Sequence, residues 1–239
     1  MISTNGAFSL RKSIISASSA IFKISSSDIT NIPFLRKIAC TGKPVILSTG
    51  ASKINEIDRA ILSLRNAGCQ DIALLHCILN YPTKSLNANL SMISSLKKTY
   101  PNHIIGYSDH TLGIQASLAA VVLGANIIEK HITIDKNLDG PDHKASIEPD
   151  QLKVLVKSIR NISLAMGSNE KKISKSELEN LKIARKSIVA KVFIKKGQIF
   201  TEENLCTKRP AEGISPMEWD NIIGNKAKKD FQVDDFIEY

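Results

Sequence analysis

The residues with the clearest capacity for chemistry come in two sets. Ser108, Asp109 and His110 follow the apolar pair Ile104–Ile105, and Glu129, Lys130 and His131 follow Ile127–Ile128. Gly140, Pro141, Asp142 and His143 lie a short way beyond. Neutral imidazole is both a common metal ligand and a general base, and a neighbouring carboxylate or ammonium tunes either role. A single histidine at a strand end reads equally as a cap or a hydrogen-bonding residue. Two at equivalent positions of consecutive units can share one metal ion or one substrate, and this shared site is the reading adopted.

Bringing those residues together requires strands whose ends meet. Ile104–Ile105 and Ile127–Ile128 are β-branched runs bounded by turn residues, the pattern of parallel strands buried on both faces. Between them, Leu112 to Leu123 is almost wholly apolar and predicts a crossover helix closed by Gly124. Strands are predicted at 21–26, 43–50 and 72–77 as well. Helices are predicted at 34–40, opened by Pro33, and at 52–68, capped by Ser52 with Ile54, Ile57, Ile61 and Leu64 on one face. Others follow at 89–98 and from Pro149 to Gly167. Ile2 to Thr4 reads as a short sixth strand, and the serine-rich stretch 5–20 has no usable periodicity. A βα period of about 25–30 residues implies an α/β fold with a parallel sheet covered by helices. Ligands then bind at the C-terminal ends of the strands. The pattern alone fits a doubly wound sheet or part of an eight-stranded barrel.

The composition shifts beyond Gly167. Residues 1–167 form the βα domain, 168–182 read as a charged linker with some helix, and 183–239 as a small β-rich domain. There a hairpin is predicted from Ser187–Phe193 and Gln198–Phe200, turning at Lys195–Gly197. A strand at Leu205–Arg209 and a capping box at Ser215–Glu218 follow, with final strands at 226–231 and 236–237.

Several classes are excluded by composition. The 239 residues are 43% hydrophobic, the composition of a globular chain with a core. No apolar run reaches membrane-span length and no export signal opens the chain, so the expectation is a cytoplasmic protein with no membrane partner. Cys40, Cys69, Cys77 and Cys206 lack paired spacing and read as reduced thiols. The formal charge of +9 invites a nucleic-acid reading, but residues 1–168 hold 18 Lys+Arg against 11 Asp+Glu, and 169–239 hold 14 against 12. No basic stripe is interleaved with aromatics, so nucleic acid is not the expected partner. A diffuse positive field suits a small anionic substrate.

Ordered segments carry a family resemblance. Phe22–Asn31 (FKISSSDITN), Gly42–Gly50 (GKPVILSTG), Leu74–Cys77 (LLHC), Tyr81–Thr83 (YPT), Gly106–Gly113 (GYSDHTLG), Ile128–His131 (IEKH) and Gly140–Lys144 (GPDHK) resemble the N-acetylneuraminate (sialic acid) synthase family. Lys208–Pro210 (KRP), Gly213–Trp219 (GISPMEW) and Gly224 resemble its C-terminal antifreeze-like (SAF) domain. The resemblance implies a (β/α)8 TIM-type barrel followed by that domain, in a domain-swapped homodimer. It also implies condensation of phosphoenolpyruvate with an N-acetylated sugar aldehyde such as N-acetylmannosamine. His110 and His131 match a pair holding a divalent metal, commonly Mn2+ with Mg2+ as the alternative. Lys23, Ser26, Ser48 and Ser108 match positions binding the phosphate and carboxylate of phosphoenolpyruvate. Tyr81 and Asp142 match the sugar site, and Thr4 is matched with a threonine near the phosphate. Arg209 matches an arginine that reaches the partner's barrel to contact the N-acetyl end.

The departures set further expectations. Asp28 stands where the family has a glutamate, and Leu79 where it has an asparagine, with Asn80 beside it. Two βα units that the family carries before Thr4 are missing. The chain is therefore expected to be an amino-terminally truncated synthase with an incomplete barrel and impaired activity. The alternatives kept open are a legionaminic or pseudaminic acid synthase and a catalytically inactive fragment acting only as a binding module.

Overall fold

The computed structural model describes residues 2–3 and 21–238, so Thr4 and the serine-rich stretch lie outside the described residues. The chain divides into two compact units, 1–167 and 168–239.

The first unit is built on β2 (Phe22–Ile24), β3 (Val45–Ser48), β4 (Ile72–Cys77), β5 (Ile104–Asp109) and β6 (Ile127–Lys130), which pair in chain order, all parallel. The five parallel strands read in the sequence are all present. The short β1 (Ile2–Ser3) adds to the β6 edge antiparallel, opposite Ile127 and Ile128. A parallel barrel strand would run the other way, so Ile2 is a strand residue but not a strand of a barrel repeat. An eight-stranded barrel needs three more parallel strands than the described residues supply; they form a half-barrel.

Helices α1 (Ile32–Ala39), α2 (Ile54–Asn66), α3 (Ser91–Thr99), α4 (Gln115–Val122) and α5 (Pro149–Ala165) cover the sheet. Alternation along each strand sorts two faces. Ile24, Val45, Leu47, Ile72, Leu74, Ile105, Tyr107 and Ile128 meet Leu35, Leu64, Ile93 and Leu155 from the helices in the main core. Ile46, Ala73, Leu75 and Ile127 form a separate cluster on the opposite, concave face. Each fully buried leucine or isoleucine contributes roughly 1.5–3 kcal/mol, so the outer layer supplies most of the unit's stability. Gly106 sits on the concave face because nothing larger fits. A Cβ there would lie 2.4 Å from Leu75 Cδ2 and 2.6 Å from the Ile127 carbonyl oxygen.

Local details depart from the sequence reading. Ser52 does not cap α2: its hydroxyl donates to the Gly50 carbonyl at 3.1 Å. The helix starts after Lys53, whose N–H donates to the Glu56 carboxylate at 2.7 Å. The crossover helix α4 begins at Gln115 rather than Leu112, and Gly124 closes it at φ +98°.

In the second unit, α6 (Lys175–Ala184) opens on a Ser174–Glu177 capping box, so much of the expected linker is helix. The expected hairpin between 187–193 and 198–200 does not form. Instead β7 (Ser187–Ala190) pairs antiparallel with β8 (Leu205–Lys208), while Ile194 bridges Phe231 and Ile199 bridges Lys226. The core of Ile188, Ile194, Phe200, Leu205, Phe231 and Ile237 explains this choice, because β7 is buried along its whole length and needs cover from several segments. The short α7 (Trp219–Ile222) completes the unit.

Candidate active site

The concave face gathers the ionisable residues at the C-terminal ends of the strands. In β5, Ser108 shares the parity of Gly106, and in β6, Glu129 shares that of Ile127; His110 and His131 are the first residues beyond these strands. Lys23 of β2 has the parity opposite to the core residue Ile24. Lys23 Nζ lies 3.4 Å from Glu129 Oε1. These residues stand on the first and last parallel strands, four strand spacings apart, roughly 19 Å in a flat sheet. A lysine and a glutamate cannot span that distance. The contact therefore requires the sheet to curl, and it closes a basin between β2 and β6.

Glu129 also accepts a hydrogen bond from Ser108 Oγ at 2.7 Å, joining Lys23, Glu129 and Ser108 into one chain. Ser26 follows β2, and its Oγ accepts from the Gly50 N–H at 2.9 Å. A Cβ on Gly50 would meet Ser26 Oγ at 2.8 Å and Cys77 Sγ at 3.1 Å, so three strand ends converge around that glycine. Ser48 Oγ is buried, and nothing among the described residues hydrogen-bonds to it. A buried donor without a partner is costly, and it fits a pocket meant for an anion.

The histidines stand beside this basin. The His110 and His131 ring centroids are 5.3 Å apart, and Tyr81 packs 4.1 Å from His110 and 5.6 Å from His131. His110 Nδ1 lies 2.9 Å from the Ile78 carbonyl oxygen. A carbonyl can only accept, so Nδ1 carries the hydrogen and Nε2 presents its lone pair. Burial lowers the His110 pKa, and neighbouring His131 lowers it further, which favours the neutral, metal-binding form. His131 Nδ1 lies 3.8 Å from Asp142 Oδ2. Burial raises the Tyr81 pKa, assisted by Cys77, Asp142 and Glu129, so its phenol remains protonated. No group of three or more His, Cys, Asp or Glu that could hold a metal occurs among the described residues. The two imidazoles are the protein donors that this arrangement supplies.

Not every expected residue joins the arc. Asp28 accepts from Ser25 Oγ at 3.2 Å, and Asn80 uses its backbone, accepting from Thr83 Oγ1 at 2.7 Å. Neither is tied by a hydrogen bond to the histidines among the described residues. Arg209 belongs to the second unit, where its Nε donates to the Ala184 carbonyl at the end of α6. The sequence reading singled out Glu129, Asp109 and Lys130 as ionisable strand-end residues but gave none of them a specific role in the site. Counting by twos from Ile127 would have put Glu129 on the concave face and Lys130 on the opposite one.

Comparison with known proteins identifies the lineage. Residues 1–171 match the NeuB family and residues 185–238 the SAF domain. The chain belongs to the NeuB family. It is similar to the N,N'-diacetyllegionaminic acid synthase of Campylobacter jejuni, 53% identical over 91% of this chain and 65% of the relative. It is also similar to the synthase of the same name from Legionella pneumophila, 41% identical over 85% of this chain and 58% of that protein. Among solved structures, it is similar to the N-acetylneuraminic acid (sialic acid) synthetase of Leptospira borgpetersenii in complex with citrate. That match has a TM-score of 0.63 at 42% identity, covering 67% of this chain and 55% of the other. This NeuB-family chain thus spans about 58–65% of the length of these curated relatives.

Proposed function

We propose that the site condenses phosphoenolpyruvate with an N-acetylated amino sugar to give a nonulosonic acid and phosphate. The acceptor is a sugar of the N,N'-diacetyllegionaminic series rather than N-acetylmannosamine. The observation that supports the reaction is one basin holding both an anion-binding side, Lys23, Ser108 and the unpaired Ser48, and an imidazole side, His110 and His131 under Tyr81. The acceptor reading rests on 53% identity over 91% of the chain to a diacetyllegionaminic acid synthase, against 42% over 67% to a sialic acid synthetase.

In this reading C3 of phosphoenolpyruvate attacks the sugar aldehyde, water adds at C2, and phosphate leaves. Lys23 and the serine hydroxyls hold the phosphate and carboxylate, and Ser26 orients the Gly50 turn against them. The His110 and His131 imidazoles fit a divalent ion, Mn2+ or Mg2+, whose contribution when bound is to polarise the aldehyde oxygen. Tyr81, fixed on both rings, shields that oxygen from water and donates a hydrogen bond to the sugar. Asp142 orients His131, while Asp28 and Asn80 line the approach of the sugar; Thr4, matched to a threonine near the phosphate, lies outside the described residues. Arg209 serves the partner's site in a domain-swapped homodimer. Four free thiols fit a cytoplasmic setting.

The test is phosphate release from phosphoenolpyruvate by the 239-residue chain with Mn2+, comparing the N,N'-diacetylated acceptor with N-acetylmannosamine. Faster release with the diacetylated sugar is expected. Preference for N-acetylmannosamine would refute the acceptor reading. No release with either sugar would favour the binding-module alternative.

A further inference from the structure

We propose that the buried Asp109–Lys130 ion pair is a positioning clamp that sets the spacing of His110 and His131. The inference rests on reading those histidines as the metal pair. Asp109 and Lys130 are Cα partners at the ends of β5 and β6, each one residue before a histidine, and they lie on the helix-covered face. Lys130 Nζ is 2.9 Å from Asp109 Oδ2 and donates to the Thr111 carbonyl at 2.7 Å. The two side chains are 3% and 0% exposed. Asp109 is filled by further donors: Ser117 Oγ at 2.5 Å from α4, and the Thr111 N–H and hydroxyl, each at 2.8 Å.

Three considerations give this network a positional role. First, a buried ion pair is poor evidence of stability, because well-packed apolar residues of similar size usually serve as well or better. The other residues of these strands on this face, Ile105, Tyr107 and Ile128, are core residues. Second, every bond in the network fixes a residue adjoining a histidine. Lys130 grips the chain on both sides of His110, through Asp109 and Thr111, while itself preceding His131. Third, the grip extends to Tyr81. The Thr83 N–H donates to the His110 carbonyl at 2.8 Å, and Thr83 forms a bridge with Thr111. The loop that lays Tyr81 over both imidazoles is thereby anchored to the same point. Partners that orient metal ligands typically carry a 10–100-fold effect on affinity.

The experiment compares the wild-type chain with Lys130→Met and with the charge-neutral double variant Asp109→Asn/Lys130→Met. Circular dichroism reports the fold, calorimetry the affinity for Mn2+, and histidine NMR the contact between the two rings without metal. Expected are a native fold in the double variant, Mn2+ binding weakened by about tenfold or more, and loss of the ring contact. A folded double variant that binds Mn2+ as the wild type does and keeps the ring contact overturns the clamp. Failure of both variants to fold overturns it too, since the pair would then hold the fold rather than the site. If wild-type protein does not bind Mn2+, the metal reading fails, and the ring contact alone decides the clamp.

Discussion

Replacing Ser48 by alanine tests the anion pocket through stability as well as binding. The hydroxyl is 2% exposed and unpaired among the described residues. An unsatisfied buried polar group costs about 1–3 kcal/mol. Removing the oxygen relieves that cost and leaves a void no larger than one atom. The expected net stabilisation without ligand is about 1 kcal/mol, a rise in midpoint of roughly 2–4 °C for a unit of this size. With phosphoenolpyruvate the sign reverses. A ligand at a hundred times its dissociation constant stabilises by about 2.7 kcal/mol. Losing one charge-assisted hydrogen bond weakens binding about tenfold, which cuts that stabilisation to about 1.4 kcal/mol. Urea denaturation of both proteins, with and without phosphoenolpyruvate, measures both quantities. Destabilisation of the unliganded variant by 1 kcal/mol or more, or an unchanged ligand effect, would refute the reasoning (the threshold being about the worth of one hydrogen bond).

Other expectations are simpler. Lys23→Ala should weaken phosphoenolpyruvate binding far more than Mn2+ binding in paired titrations; equal losses would point to misfolding. Gly106→Ala should cost about 3 kcal/mol or more, at the upper end of overpacking, because the new methyl would meet the Ile127 backbone as well as the Leu75 side chain. Gly197→Ala, at φ +86° with open space around it, should cost only about 1–2 kcal/mol in the same urea assay. Burial lowers the His76 pKa, so the unfolded chain takes up that proton first. Stability from His76 is therefore full above about pH 6.5 and falls as the pH drops below it. His76→Gln should flatten the urea-midpoint slope between neutral and mildly acidic pH, and an unchanged slope would count against that assignment.

Much of the site was legible because a strand repeats every two residues. The parity that buries Ile105, Tyr107 and Ile128 against helices turns Ser108 and Glu129 to the other side, and the two histidines follow directly after the strand ends. Motif matching gave roles to the histidines and Ser108 but none to Glu129, although Glu129 lies within the matched Ile128–His131 segment and the same count places it with Ser108. Parity carries no information once a strand ends. Ser26 and Asp28 lie on a 3-10 turn after β2, so strand counting could not tell that one would join Gly50 and the other Ser25. Ser52 shows the limit of cap signals. It is a good cap by type, but its hydroxyl finds the Gly50 carbonyl first. In the small unit, nearness in sequence favoured pairing 187–193 with 198–200. Complete burial of Ser187–Ala190 favoured the more distant β8 instead.

The Lys23–Glu129 contact bears on how an anion would enter. Lys23 is the basin's one ammonium among the residues assigned to phosphoenolpyruvate, and Glu129 stands against it while also engaging Ser108. An incoming phosphate must replace the carboxylate at Ser108, whose single O–H is already donated to Glu129. It competes with Glu129 for the charge of Lys23, whose ammonium also donates to the Ile24 carbonyl. Both side chains are about a quarter exposed, so their mutual attraction is screened and is worth little by itself. A phosphate carrying more charge than one carboxylate can displace it at modest cost. Glu129 would then be released two residues before His131, at the end of the same strand. Under the proposed reaction, ligand entry and release of Glu129 from Ser108 would be a single event, and the freed carboxylate would be available to the reacting aldehyde. This coupling predicts that Glu129→Gln binds phosphoenolpyruvate more tightly than wild type, because the competing charge is gone, yet turns it over more slowly. Isothermal titration and phosphate release on the same preparation separate the two effects. Tighter binding with undiminished turnover would confine Glu129 to guarding Lys23, and weaker binding would show that it helps to hold the anion rather than competing with it.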